Sequence, residues 1–358
     1  MVTNLLAADP KAARAAPKAD LRLGVCSACG LITNLDFDST LIAYDETYEA
    51  SLECSSNFVA YCEELCEELV KDFDLQGRQI VELGCGQGEF LVRLCRRARA
   101  SGVGFDPSYA GPAVEGDVRF CPGAYQADGL RARLVCARHV LEHVPDPLAL
   151  AKEAATILEG AGSGVYLEVP NAEFMVRRAS VWDVIYEHCS YFTSISLAAL
   201  VARAGLRARR VSASFGEQYL QVFAEVGKPA AGEPADVGGS DLVEAARQFG
   251  AGYSRIVEER RRLLADRLAQ GPVALWGAGA KGIQLLNVVP GGERVHPIID
   301  LNPRKQGRYV PGTAQLVCGP SGLREEHPRT VLVTNSLYLN EIRQVLAREG
   351  IEVELLVV

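Results

Sequence analysis

Val81-Glu82-Leu83-Gly84-Cys85-Gly86-Gln87-Gly88 is the stretch that decides how this chain is read. Its glycines stand at alternate positions after a short apolar run and before a helical pattern. A turn that tight needs residues without a Cβ, and it opens both the backbone and a helix N-terminus to a ligand. Alone, a Gly-x-Gly-x-Gly turn is equally compatible with a dinucleotide, so its surroundings matter. Glu82 precedes the glycines, and Asp106 closes the next apolar run, Val103-Gly104-Phe105-Asp106-Pro107. A carboxylate there is placed to accept hydrogen bonds from ribose hydroxyls.

Further on, Arg133 to Val144 and Gly164 to Asn171 continue the alternation of short apolar runs with helical patterns. That alternation predicts βαβ units and a parallel sheet. Residues 227–240 are rich in Gly, Pro and Ala without a hydrophobic period, which reads as a linker. An amphipathic helix is expected over Asp241 to Gln270, and a second strand–turn–helix starts at Pro272. The expected fold class is therefore α/β, with a Rossmann-like core followed by a second, smaller Rossmann-like α/β domain. Its divisions are a flexible tail (1–20), a lid segment (21–74), a nucleotide-binding core (75–226), the linker (227–240), and a helix plus C-terminal domain (241–358).

Composition narrows the function classes. Hydrophobic residues make up 48% and charged residues 23% of the 358 positions, the balance of a globular protein. A net charge of −8 lacks the basic face that nucleic acid or an anionic membrane demands. No run approaches the roughly 18 apolar residues of a membrane span, and the first twenty residues lack the apolar core of a secretory signal. Eleven cysteines scattered through apparent helices and strands fit a reducing compartment, so a cytoplasmic location is expected.

Two segments carry chemistry. Arg138-His139-Val140-Leu141-Glu142-His143-Val144-Pro145-Asp146-Pro147 follows the third apolar run and resembles the post-strand motif of class I methyltransferases. The resemblance implies S-adenosyl-L-methionine as methyl donor. It places the donor against Glu82, Gly84, Cys85, Gly86, Gly88, Phe105, Asp106, Pro107, Arg138 and His139. Such enzymes often carry an acidic residue near the adenine amine; this chain has Gly123 and Ala124 in that loop, so backbone groups or Tyr125 are expected against the adenine.

The second segment, Asp183 to Thr193, holds Tyr186, Glu187, His188 and Tyr191 within six residues. Histidine has the basicity of a proton acceptor near neutral pH, a carboxylate orients it, and a tyrosine hydroxyl stabilises an oxyanion. This segment resembles the Glu-His motif of the sugar C-methyltransferase family. Trp276 to Gly282 and Ile299 to Thr313 resemble that family's carboxy-terminal domain. The resemblance implies methylation of carbon beside the keto group of a nucleotide-linked sugar, with His188 as base. A small-molecule acceptor is expected against Tyr48, Asn171, Lys281, Arg304 and Lys305.

The family's opening zinc domain uses two Cys-x-x-Cys pairs. This chain has only Cys26 and Cys29, short of the four ligands of a closed zinc site, so no metal is expected. The motifs YLEVPN, YEHCSYFT and GEQYLQV set the chain apart from the deoxysugar enzymes, leaving transfer to N, O or S open in natural-product biosynthesis. Gly277 to Gly282 can also be read as a dinucleotide fingerprint of an oxidoreductase, and a non-catalytic donor-binding module is the remaining alternative. Monomer and homodimer both stay open.

Overall fold

The computed structural model describes residues 5–42, 44, 51–126, 129–227 and 239–358. Tyr48 and most of the expected linker lie outside the described residues. The chain starts with a short helix α1 (Pro10–Arg14), capped by Asp9 with proline in the first turn. Strands β1 (Leu23–Val25) and β2 (Ile32–Asn34) pair antiparallel. Helix α2 (Ser56–Phe73) follows; Ser55 caps it, and Phe58, Cys62, Leu65, Cys66, Leu69 and Phe73 form its buried stripe. Cys62 and Cys66 are thus core residues of a helix, one turn apart.

The central unit runs β3 (Gln79–Leu83), α3 (Glu89–Ala98), β4 (Ser101–Asp106), β5 (Val114–Glu115), β6 (Val118–Pro122), β7 (Leu134–Arg138), α4 (Pro147–Ile157) and β8 (Gly164–Pro170). It continues with α5 (Ala172–Arg177), β9 (Ser190–Tyr191), α6 (Ser194–Arg203), β10 (Leu206–Ser214) and β11 (Tyr219–Val226). Eight strands form one sheet in the order β10-β11-β8-β7-β3-β4-β6-β5. The five in the middle are parallel, and β10, β11 and β5 join antiparallel. Strand β3 sits between β4 and β7, so the chain order reverses about it and the carboxyl ends of these strands open a crevice.

Helix α7 (Gly239–Gln270) leads to a second sheet built from β12 (Val273–Trp276), α8 (Ala280–Val288), β13 (Ile298–Ile299), β14 (Val317–Cys318), α9 (Gly322–Glu326), β15 (Thr330–Val333), α10 (Leu339–Glu349) and β16 (Glu354–Val357). Its strand order is β14-β13-β12-β15-β16, all parallel. This is the class I Rossmann-like core and smaller Rossmann-like partner that the alternating pattern predicted. Among the described residues no helix is long and apolar enough to cross a membrane.

Within the expected flexible tail, the described residues 5–16 are docked. From Leu5 on the segment is described as docked on the C-terminal sheet: Ala7 and Tyr309 exchange backbone hydrogen bonds, and the Gly312 N–H donates to Ala13. Leu6 and Ala13 are buried there. The polar, Pro-containing composition hid two small apolar anchors, which suffice because their partners are backbone groups that also need pairing.

Candidate active site

The glycine turn hangs from β4. The Gly84 N–H donates to the Phe105 carbonyl at 2.7 Å, and the Gly86 N–H donates to Asp106 Oδ2 at 2.8 Å. Asp106 Oδ1 accepts from the Ser108 amide and hydroxyl at 2.7 and 2.6 Å. Gly84 has φ of +74°, and a Cβ there would collide with Val140. Gly86 has φ of +54°, and a Cβ there would enter open space with no atom within 4 Å. One glycine is needed for packing and the other for ligand approach.

Glu82 lies beneath this turn, buried, with Oε2 lacking any partner. Burial pushes its carboxyl up to about 8, against the pull of Arg138. An orphaned carboxyl beside an empty glycine cradle fits a cationic nucleoside, the character of S-adenosylmethionine. Tyr125 stands edge-on to Phe105 at 5.1 Å between centroids, closing one side.

Arg138, at the end of β7, is engaged elsewhere. Its Nε and Nη2 donate to Glu168 Oε1 at 3.0 and 2.9 Å, and its guanidinium lies 4.0 Å over the Phe90 ring. Glu168 also accepts from the Tyr166 hydroxyl at 2.9 Å and from Tyr61. Burial opposes its ionisation, but Arg138 and then His139 outweigh burial and hold it below the usual carboxylate range. His139, at φ +55°, has Nε2 3.2 Å from Glu168 and Nδ1 3.5 Å from Glu142. Burial works against its charge, yet hydrogen bonding to Glu142 and Glu168 pushes it up to about 9.

The segment after α5 folds onto the loop after β7. The Cys189 amide donates to the Glu142 carbonyl at 2.8 Å, and its thiol to the Val144 carbonyl at 3.0 Å. His188 is thereby pressed against His143, ring centroids 4.8 Å apart and edge to face. Burial, then His143, pushes His188 down to about 3, and its Nδ1 has no partner.

Of the four residues expected at the chemical step, His188 alone lines the cavity. The Tyr191 hydroxyl is closed on the Ile185 backbone, donating to its carbonyl at 2.7 Å and accepting from its amide at 3.0 Å. Tyr186 accepts from the Asp38 amide at 3.0 Å and stacks on Phe37. Glu187 is fully buried, and its carbonyl faces His143 Nδ1 at 3.1 Å. These three build the wall that carries His188.

One cavity of about 840 Å³ runs from the glycine turn past His188 to the C-terminal sheet. Glu82, Gly84, Cys85, Gly86, Phe105, Asp106, Pro107, Tyr125, Arg138 and His139 all line it, whereas Gly88 caps α3 behind it. At the far end Lys281 and Lys305 line the wall. Lys281 Nζ is 2.9 Å from Asp183 and 3.0 Å from Gln218, and the buried Lys305 ammonium is 3.7 Å from Asp300. Arg304 instead reaches Glu89 of α3 at 3.0 Å, bridging the two sheets' units. Asn171 caps α5 and donates to the Glu217 carbonyl at 2.8 Å, away from the cavity. Neither Arg304 nor Asn171, both expected against the acceptor, lines the cavity.

The far end is built on the same plan as the near one, a turn hung from the next strand's carbonyl and aspartate. The Gly277 N–H donates to Ile299 at 2.7 Å, Ala278 to Asp300 Oδ2 at 2.9 Å, and Asn302 to Asp300 Oδ1 at 2.8 Å. Glu142, His143, Asp183, Gln218 and Tyr219 also line the cavity and were given no role from sequence. Glu142 and His143 stood in the quoted motif; only their meeting with His188 across 45 residues reveals them.

Residues 57–211 match the methyltransferase domain family, and residues 224–351 match the C-methyltransferase C-terminal domain family. The chain is an S-adenosylmethionine-dependent methyltransferase. No curated protein sequence matches it significantly. Among solved structures, a methyltransferase from Aquifex aeolicus is 14% identical over 45% of this chain and 89% of its own, with a TM-score of 0.35. Magnesium protoporphyrin IX methyltransferase from Synechocystis is 15% identical over 48% and 84%, TM-score 0.38. A Clostridium acetobutylicum methyltransferase is 8% identical over 47% and 92%, TM-score 0.37. Likenesses this distant carry no argument about the acceptor.

Two expected outcomes test the donor end of the methyltransferase. Asp106→Ala should weaken donor binding by about 1–3 kcal/mol, the scale of charged hydrogen bonds lost; calorimetric titration reads this directly. Glu82, held protonated at pH 7 by its raised pKa of about 8, should release its proton when a cation binds beside it. Titrations in buffers of different ionisation enthalpy should therefore give different apparent heats, and Glu82→Gln should remove that difference. Equal heats in the wild type would separate Glu82 from the donor's charge.

Proposed function

We propose that this methyltransferase transfers its methyl group to a carbon beside a keto group of a small acceptor, a nucleotide-linked sugar or related natural-product intermediate, with His188 as the base. The observation that carries this reading is His188 Nδ1, buried without a partner in the wall of a cavity that joins both glycine cradles. Carbon acceptors need a base to remove a C–H proton before transfer, whereas an exposed amine or thiolate acceptor needs none.

S-adenosylmethionine, held by the turn at Gly84 to Gly86 and by Asp106, supplies an electrophilic methyl on a sulfonium. His188 takes the proton from the acceptor carbon, and the electron pair left behind is shared with the neighbouring carbonyl. Glu142, on the same wall, favours the imidazolium that forms. Lys281 and the amides of the second turn, at the N-terminus of α8, face the end where an anionic tether would lie. The proposed division of labour is donor on the central unit, acceptor tether on the C-terminal unit, and chemistry between them.

The test is a panel of nucleotide-linked keto sugars and small keto acids offered with isotopically labelled donor, the product then located by NMR. Methyl on carbon is expected. In deuterated water the acceptor carbon should also exchange its proton under His188's control. Methyl found on oxygen or nitrogen would overturn the reading.

A further inference from the structure

Glu142 favours the His188 imidazolium and His143 opposes it, yet together with His188 they are arranged as metal ligands. One ligand-competent atom from each of Glu142, His143 and His188 lies within 4.8 Å of the other two, and all three residues line the cavity. We propose that these residues form a site for a borderline divalent cation, zinc foremost, and that its occupancy silences the base. The second half rests on the reading of His188 given above; the first does not.

Two independent features point to a ligand. Glu142 is 2% exposed and His188 7% exposed, and each keeps one polar atom, Oε2 and Nδ1, with no hydrogen-bond partner. Buried polar atoms are otherwise almost always paired. The outer contacts are also those that orient metal ligands. His143 Nδ1 lies 3.1 Å from the Glu187 carbonyl and 2.9 Å from the Tyr44 hydroxyl, which leaves Nε2 for an ion. The other oxygen of Glu142 faces His139 Nδ1 at 3.5 Å.

Two imidazoles and one carboxylate suit zinc, cobalt or nickel and exclude magnesium, which takes oxygen ligands. Three protein ligands with a fourth position open to the cavity is the pattern of an accessible zinc site. Tetrahedral ligands at about 2.1 Å from zinc lie about 3.4 Å apart, so side-chain rotation must close the widest pair, at up to 4.8 Å, by about 1.4 Å. An ion bound through His188 takes the nitrogen lone pair that would accept the acceptor's proton, so metal and substrate proton compete for one atom.

Cobalt(II) is the probe, because its visible bands report coordination and a sulfur-to-metal charge-transfer band would betray cysteine ligands. The Cys26→Ser/Cys29→Ser variant removes the pair of the exposed Cys26 and the half-buried Cys29, which could otherwise bind it. That variant should still take up one equivalent of cobalt, with four- or five-coordinate visible bands and no charge-transfer band. His143→Ala and, separately, Glu142→Gln should each weaken uptake at least tenfold, with S-adenosylmethionine titration confirming that each variant is folded. In the Cys26→Ser/Cys29→Ser variant, turnover should fall in step with zinc occupancy and return with a chelator. Absence of stoichiometric uptake by that variant overturns the site. Uptake that leaves turnover intact overturns the silencing and removes His188 from the proton transfer, while the ligand assignment stands on its spectrum.

Discussion

Gly86→Asp is expected to abolish S-adenosylmethionine binding. Gly86 is the one residue of the turn whose missing side chain leaves empty space, at φ +54°, on the cavity side. A Cβ there meets nothing within 4 Å, so the substitution should spare the fold apart from about 1–2 kcal/mol of left-handed strain. Its carboxylate would fill the space the donor needs. It would also stand beside Asp106, whose Oδ2 accepts the Gly86 amide, adding like-charge repulsion in a poorly solvated place. A loss beyond about 3 kcal/mol, more than a hundredfold in affinity, follows. Gly86→Ala separates the causes: strain without charge should cost a smaller share. Calorimetric titration alongside a thermal melt reads both, and unchanged affinity in the aspartate variant would move the donor away from this turn.

His188→Ala should lower turnover by roughly two to four orders of magnitude, the usual contribution of a general base. Donor affinity should stay near the wild-type value, because the donor residues hang from β3 and β4 while His188 stands on the segment after α5. The contrast is Tyr191→Phe. Its hydroxyl is spent on the Ile185 backbone, so its loss should lower the melting temperature and touch catalysis only through the wall's stiffness. Single-turnover measurements with saturating donor distinguish the two. A fully active His188→Ala enzyme would leave the acceptor's proton to another group, and carbon methylation would lose its chief support.

The geometry of the glycine turn was legible because everything it needs is local. Gly84 to Gly88 and Asp106 are joined by adjacent parallel strands, and their roles follow from backbone geometry that only certain residues allow. The acceptor wall was legible only as a density of ionisable groups. Sequence cannot distinguish a tyrosine hydroxyl aimed at a ligand from one closed on a carbonyl six residues away, and Tyr191 proved to be the second kind. Arg304 and Asn171 were equally open in the sequence: a cation or amide there has many partners, and the structure puts Glu89 and the Glu217 carbonyl against them. The meeting of Glu142, His143 and His188 depends on two loops that touch only when the sheet is assembled. The docking of Leu5 to Ala16 turns on two small buried side chains that no periodicity announces.

That docking gives the two units a second covalent crossing. The first segment is pinned to the C-terminal sheet at Ala7 and Tyr309, then enters the central unit where β2 pairs with β9. The chain therefore crosses between the two units once before α2 and again ahead of α7. Between these crossings the two units share one continuous core, in which Val181 and Trp182 pack with Ile283, Leu285 and Leu286. Glu341 on the Ser55 and Ser56 hydroxyls, at 2.6 and 2.9 Å, and Arg304 on Glu89 join them again at α2 and α3. The walls of a cavity seamed this way are held in fixed register, so the acceptor end is as preorganised as the donor end.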